Sequence, residues 1–166
     1  MSISVTNSLS LRLFYSGNAS ISHGTTRNNE LTGTLSMADA SALRNAIRKL
    51  QDYKFEDASE TLIQEKLKAF TDTINNTVTS AAKYGASDTS VKNAVSKLKR
   101  LNNDYASELQ KIGITVNKDG TMSLYENAAK TYSSKKIDSF FDKDSEYLND
   151  LYDVAKKITR KVDVRI

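Results

Sequence analysis

The chain has 166 residues, enough for one domain with a real core and no covalent staple. It holds no cysteine, which removes disulfides, thiolate nucleophiles and Cys-type zinc sites, and its single histidine, His23, all but excludes a His-based catalytic pair or metal cluster. The formal net charge of +4, from 24 basic and 20 acidic residues, is a mild excess that does not by itself call for nucleic acid.

Six glycines and no proline suit long uninterrupted helices. No apolar run approaches the roughly 18 residues that cross a bilayer. The opening residues lack the charged and continuous apolar regions of a secretory signal. The chain therefore reads as soluble, staying in the cytoplasm or, if exported, leaving by some route other than the secretory one.

Residues 1–34 read as an N-terminal arm, flexible or strand-forming, ahead of a helical domain over 35–166. In the arm, Ile3, Val5, Leu9, Leu11 and Leu13 alternate with polar residues, a period of two that predicts one strand. Ser16 to Asn29 is rich in Ser, Thr, Asn and Gly and reads as loop. Ser36 and Asp39 have the spacing of a capping pair. Ala40, Leu43, Ile47 and Leu50 then share the face of a helix ending near Tyr53. The next helix starts at Asp57 or Ser59 and carries Ile63, Leu67, Phe70, Ile74, Val78 and Ala81 on one stripe, with Gly85 placed to close it in the left-handed conformation. A third starts after Ser87 or Asp88 and runs through Val91, Val95, Leu98, Leu101 or Asn102, Tyr105, Leu109 and Ile112 to Gly113. The short link at Gly85 makes these two antiparallel.

Beyond Gly113, Ile114–Val116 and Thr121–Leu124 flank Asn117-Lys118-Asp119-Gly120, which predicts a small hairpin. Ser123 with Glu126 looks like a second capping pair, opening a short helix through Ala128, Ala129 and Tyr132. Ile137, Phe140 and Phe141 form an apolar knot. A final helix from Asp144 or Ser145 carries Leu148, Leu151, Ala155, Ile158 and Val162. The fold class is all-α: an antiparallel helical bundle with long helices and one small β-hairpin near 114–124.

Candidate chemistry is sparse. Thr115, Asn117, Asp119, Gly120, Ser123 and Glu126 follow the spacing of a calcium loop, but Thr115 puts a neutral hydroxyl where that loop uses an Asp. A hairpin accounts for the same residues. The acid pairs Glu56/Asp57 and Asp142/Asp144 fall at helix starts, where the macrodipole favours negative charge. Tyr105, Tyr132, Tyr147 and Tyr152 lie on or beside apolar stripes and read as core. No Ser-His-Asp set, phosphate-cradling glycine loop or HExxH pattern is present. The expectation is a protein that is not an enzyme, with no cofactor, no metal and no small-molecule substrate.

From about residue 87 to 160 the order is helix, Leu109-x-x-Ile112-Gly113-Ile114, Asn117-Lys118-Asp119-Gly120-Thr121-Met122-Ser123-Leu124, short helix, then Ile137-x-x-Phe140-Phe141. This succession resembles the C-terminal region of the bacterial flagellar filament cap family (hook-associated protein 2). Ser2 to Leu11 is fainter in its likeness, to the opening of flagellin-type axial proteins. The resemblance implies a small stand-alone relative of the cap's helical module, whose terminal segments assemble with other helices.

Two functional expectations follow. The first is a structural or interaction protein whose partner is its own copy or another helical protein, with Leu148, Leu151, Ala155, Ile158 and Val162 as the partner-binding stripe. The second is a basic helical module for nucleic acid or another polyanion, using Lys97, Lys99, Arg100, Lys156, Lys157, Arg160 and Lys161.

Overall fold

The computed structural model describes residues 8–22 and 25–166. In chain order the helices are α1 (Leu9–Phe14), α2 (Thr25–Asn28), α3 (Thr32–Asp52), α4 (Glu60–Gly85), α5 (Thr89–Asp104) and α6 (Ala106–Gln110). The strands β1 (Ile114–Val116) and β2 (Met122–Leu124) follow, then α7 (Ala128–Thr131), α8 (Ser134–Phe140) and α9 (Glu146–Lys161). Single 3-10 turns occupy Ala19–Ile21 and Phe55–Asp57. No described helix is long and apolar enough to cross a membrane.

Four long helices make the bundle. α3 packs on α4 and α9, and α5 packs on α4 and α9, so the four close into a ring. Short links force neighbours to alternate in direction, and hydrogen bonds at both ends of α3 show that α9 runs antiparallel to it. Gly33 N donates to the Ile166 carbonyl (2.6 Å), and Gln51 Nε2 donates to the Asp142 carbonyl (3.3 Å). The predicted stripes fill the interior: Leu43, Ile47, Leu67, Phe70, Ile74, Val91, Leu98, Leu148, Leu151 and Ile158 have no exposed surface. Each such side chain stabilises the fold by about 1.5–3 kcal/mol over leaving it in water. The starts of α4, α5 and α9 are capped by Ser59, Asp88 and Ser145, whose side chains accept from Leu62 N, Val91 N and Leu148 N at 3.2, 3.0 and 3.2 Å.

The segment between α5 and α9 wraps the outside of this ring. β1 and β2 pair antiparallel with Ile114 opposite Leu124 and Val116 opposite Met122. Asn75 on α4 finishes the hairpin's inner edge as a third strand would, donating to the Met122 carbonyl (2.9 Å) and accepting from its N–H (2.7 Å). Deeper in, Asn102 donates to the Gly120 carbonyl (3.0 Å) and accepts from the Tyr147 hydroxyl (2.8 Å), joining α5, the hairpin turn and α9. Beside α8, Phe141 stacks on Phe55 at 5.3 Å and meets Phe70 edge-on at 5.2 Å. The predicted aromatic knot thus closes one end of the bundle.

Several local expectations are corrected. Residues 9–13 form helix, not strand, because Leu11, Phe14 and Tyr15 make a buried i, i+3, i+4 face against α3 and α4. Ile3 and Val5 of the expected strand, and His23, lie outside the described residues. Within the described part of the 1–34 arm, Leu11, Phe14, Tyr15 and Ile21 join the bundle core, while residues 16–20 stay exposed. Ser36 does not cap a helix. α3 begins at Thr32, and Ser36 lies one turn inside it with no exposure. The expected helix from Asp88 to Gly113 breaks at Tyr105, whose ψ of 18° separates α5 from α6. Ser123 sits in β2, and α7 starts only after Asn127, which makes no side-chain cap. Gly85 is not left-handed. It is the last residue of α4, and a Cβ there would lie 2.9 Å from the Lys92 backbone, so the glycine serves the close approach of α5. Gly113 does take positive φ (+88°) as a helix stop requires.

Candidate interaction surfaces

The N-terminal segment is held by two polar anchors. At the first, Asp39 on α3 has no exposed surface and accepts four side-chain hydrogen bonds. Arg27 on α2 forks onto both carboxylate oxygens at 2.7 and 2.8 Å. The Tyr15 hydroxyl donates at 2.5 Å and Ser80 Oγ at 2.6 Å. Asn76 in turn donates to the Tyr15 hydroxyl at 3.1 Å, and Arg27 also reaches the Ile21 carbonyl at 2.9 Å. Burial and the adjacent Asp39 charge push the Tyr15 phenol well above its usual range. Burial acts to lower the Arg27 guanidinium, but its hydrogen bonds and charge contact with Asp39 raise it overall. The cluster stitches α1, α2, α3 and α4 together.

At the second anchor, Glu65 of α4 meets the start of α1. Its carboxylate accepts from the Ser8 hydroxyl, from Ser10 N (2.9 Å) and from Ser10 Oγ (2.6 Å), while Lys66 Nζ donates to Ser10 Oγ at 3.1 Å. Ser8 Oγ caps the helix by accepting from Leu11 N at 3.1 Å. With its inner face fixed so firmly, α1 presents Leu9 and Leu13 outward, 59 % and 48 % exposed and one helical turn apart. Leu62, one turn before Glu65 on α4, is 42 % exposed.

The partner-binding stripe expected on the last helix is corrected. Leu148, Leu151, Ala155 and Ile158 have no exposed surface and Val162 is 8 % exposed, because α9 lies in the ring between α3 and α5 and spends this stripe on them. What α9 leaves to solvent is charged. Glu146, Asp150 and Asp153 line its first half, Lys157, Arg160 and Lys161 its second. Lys97 and Arg100 are exposed on the adjacent α5. Lys99 faces elsewhere, its stem packed over Gly120 in the hairpin, and Lys156 is half-buried on the turn after Tyr152. Tyr152 itself receives Arg48 over its ring at 4.0 Å and a hydrogen bond from Arg44 (3.3 Å), the contact that chiefly lowers its phenol.

The residues of the calcium-loop spacing serve the hairpin. Thr115 stands opposite Ser123 in the ladder, and Asp119 Oδ1 accepts from Thr121 N (3.0 Å) and Thr121 Oγ1 (2.5 Å). Those bonds hold the Asp119 carboxyl below its usual range. No group of three or more His, Asp or Glu side chains is placed to hold a metal among the described residues. Asp142 caps Asp144 N at 2.7 Å, and both carboxylates are exposed. Sequence reasoning missed the Asp39 cluster, Glu65 and Asn75 altogether. Their partners lie 24 to 57 residues away, and the one shorter link, to Arg27, crosses a segment that reads as loop. The leucines of α1 do carry a signal, but over six residues their alternation fits a strand as well as a helix. Comparison with protein-family models, curated proteins and solved structures finds no match for this chain.

Proposed function

We propose that the chain is a non-enzymatic contact module, flagellar-cap-like, that docks on helices of its own copies or of another helical protein through the outer face of α1. One observation carries this reading: Leu9 and Leu13 stand in water on a helix whose opposite face is locked by dedicated polar anchors. An exposed apolar pair on a rigid helix suits docking against a second amphipathic helix. The resemblance of residues 87–160 to the filament-cap module supports the same role. Both leucines are already about half covered, so burying the remainder returns about 1.5–3 kcal/mol for the pair, less than the cost of association, and one such contact is weak and gains persistence by repetition. Sedimentation velocity from micromolar to near-millimolar protein is expected to show mass rising with concentration. The double variant Leu9→Asp, Leu13→Asp should abolish that rise without unfolding the bundle. A mass that stays at one chain over the whole range overturns self-docking.

A polyanion-binding role is the second reading, favoured by a specific arrangement. Lys97, Arg100, Lys157, Arg160 and Lys161 are exposed on two adjacent helices, and none forms an ion pair within 4.0 Å among the described residues. Retention on immobilised duplex DNA at low salt, falling steeply as salt rises, is its signature. Failure to bind at low salt removes it.

A further inference from the structure

A groove of about 540 Å³ opens between α6 and α8. Its floor is apolar. Ile112 is buried, and the half-buried Phe140 ring packs on Phe141 and Tyr147 with centroids 5.0 and 5.9 Å away. Its rim is basic, with Lys111, Lys135 and Lys136 exposed around it and Glu108 the single acid. None of the three lysines has a carboxylate within 4.0 Å among the described residues. The two hydroxyls of the lining are committed to the fold: Ser133 Oγ accepts from Lys136 N (3.2 Å), and Ser139 Oγ donates to the Lys135 carbonyl (3.0 Å).

Three like charges around one concavity repel each other, and the first turn of α8 contains no acid to offset them. Folding alone gains nothing from gathering them there. Lysine ammonium groups on flexible stems suit carboxylates in varied poses, and an apolar floor between them suits one bulky side chain. We propose that this groove binds an acidic peptide segment of a partner protein, with an apolar side chain seated on Ile112 and Phe140 and flanking carboxylates on Lys111, Lys135 and Lys136. A polynucleotide fits less well, since Phe140 is the one aromatic ring of the lining and no row of rings is present on which successive bases could stack. The inference rests on the contact-module reading but uses a different surface from α1.

The test uses the full chain, isotope-labelled, titrated with a short synthetic peptide of glutamates interrupted by one phenylalanine and one leucine. Amide shifts are expected at Lys111, Ile112 and across residues 133–140. The double variant Lys135→Glu, Lys136→Glu, checked for an unchanged melt, should weaken binding at least about tenfold, since like charges then face the peptide. Replacing the peptide's phenylalanine and leucine by serine should weaken it as well. The Leu9→Asp, Leu13→Asp variant should bind the peptide as the parent does, so that loss of self-docking and loss of groove binding are read separately. Shifts confined to α5 and α9, equal affinity in the charge-reversed variant, or tighter binding of an oligothymidine at the same residues would each overturn the proposal.

Discussion

Asp39 is a carboxylate sealed from water, and its neighbours decide whether that stabilises or breaks the fold. A buried ion gains from its surroundings only when its lone pairs are filled, and here Arg27, Tyr15 and Ser80 fill them. Removing the cation leaves a charge with only neutral donors. Arg27→Ala should therefore destabilise the chain by about 3–5 kcal/mol in urea unfolding, with Arg27→Lys in between because a point charge cannot fork onto both oxygens. A loss below about 1 kcal/mol would mean that water or Tyr15 compensates, and the cluster would not be an anchor. This residue also shows where local sequence misleads. Ser36-x-x-Asp39 has the spacing of a capping pair, yet both side chains sit inside α3 with no exposure. The partners that give Asp39 its meaning stand 12, 24 and 41 residues away, beyond any local pattern.

At the scale of elements, the long helices were readable and, α7 apart, the short ones were not. The stripes of α3, α4, α5 and α9 repeat over several turns, and Ser59, Asp88 and Ser145 mark three of their starts. α1 has only six residues, Leu9–Phe14, too few for a helical period to outweigh alternation. Its helix depends on tertiary support, because so short a segment is not stable alone. Glu65 supplies part of that support by accepting at Ser8 and Ser10, the same chemistry as a cap delivered from another helix. Glu65→Ala should cost about 1 kcal/mol. Amide exchange should speed up across residues 9–14 while α4 and α5 keep their protection. Uniform loss of protection would instead place Glu65 in the global stability of the bundle. The hairpin was legible for a similar reason to the long helices: Asn117 to Gly120 is turn chemistry that needs no distant partner. Asn75, which edges that hairpin from α4, was invisible because a mid-helix Asn carries no sign of what it faces.

For the molecule as a whole, the four-helix ring follows from the stripes and the short links. What the stripes do not say is that the ring consumes all of them. The last helix looked available for a partner only because its neighbours in the ring are not its neighbours in sequence. Its docking is completed by a polar contact, Tyr147 donating to Asn102, in a place where the phenol is wholly buried. Burial raises the Tyr147 phenol far above the ordinary value of 10.0, and burial with Asp39 does the same to Tyr15. In the unfolded chain both ionise near 10, so the folded state holds protons that the unfolded state has released. That stability is fully present below pH about 10 and is lost as pH rises toward the elevated folded values. Melting temperature should thus stay level through neutral pH and fall steeply above about pH 10. Tyr147→Phe should cost about 1–3 kcal/mol at pH 7, since Asn102 keeps its bond to Gly120 but loses a buried donor. The same variant should descend less steeply in alkali, because one phenol of the Tyr15 and Tyr147 pair no longer titrates. Parallel alkaline slopes for parent and variant would show that water reaches Tyr147, and the seal between α5 and α9 would then be looser than the packing implies.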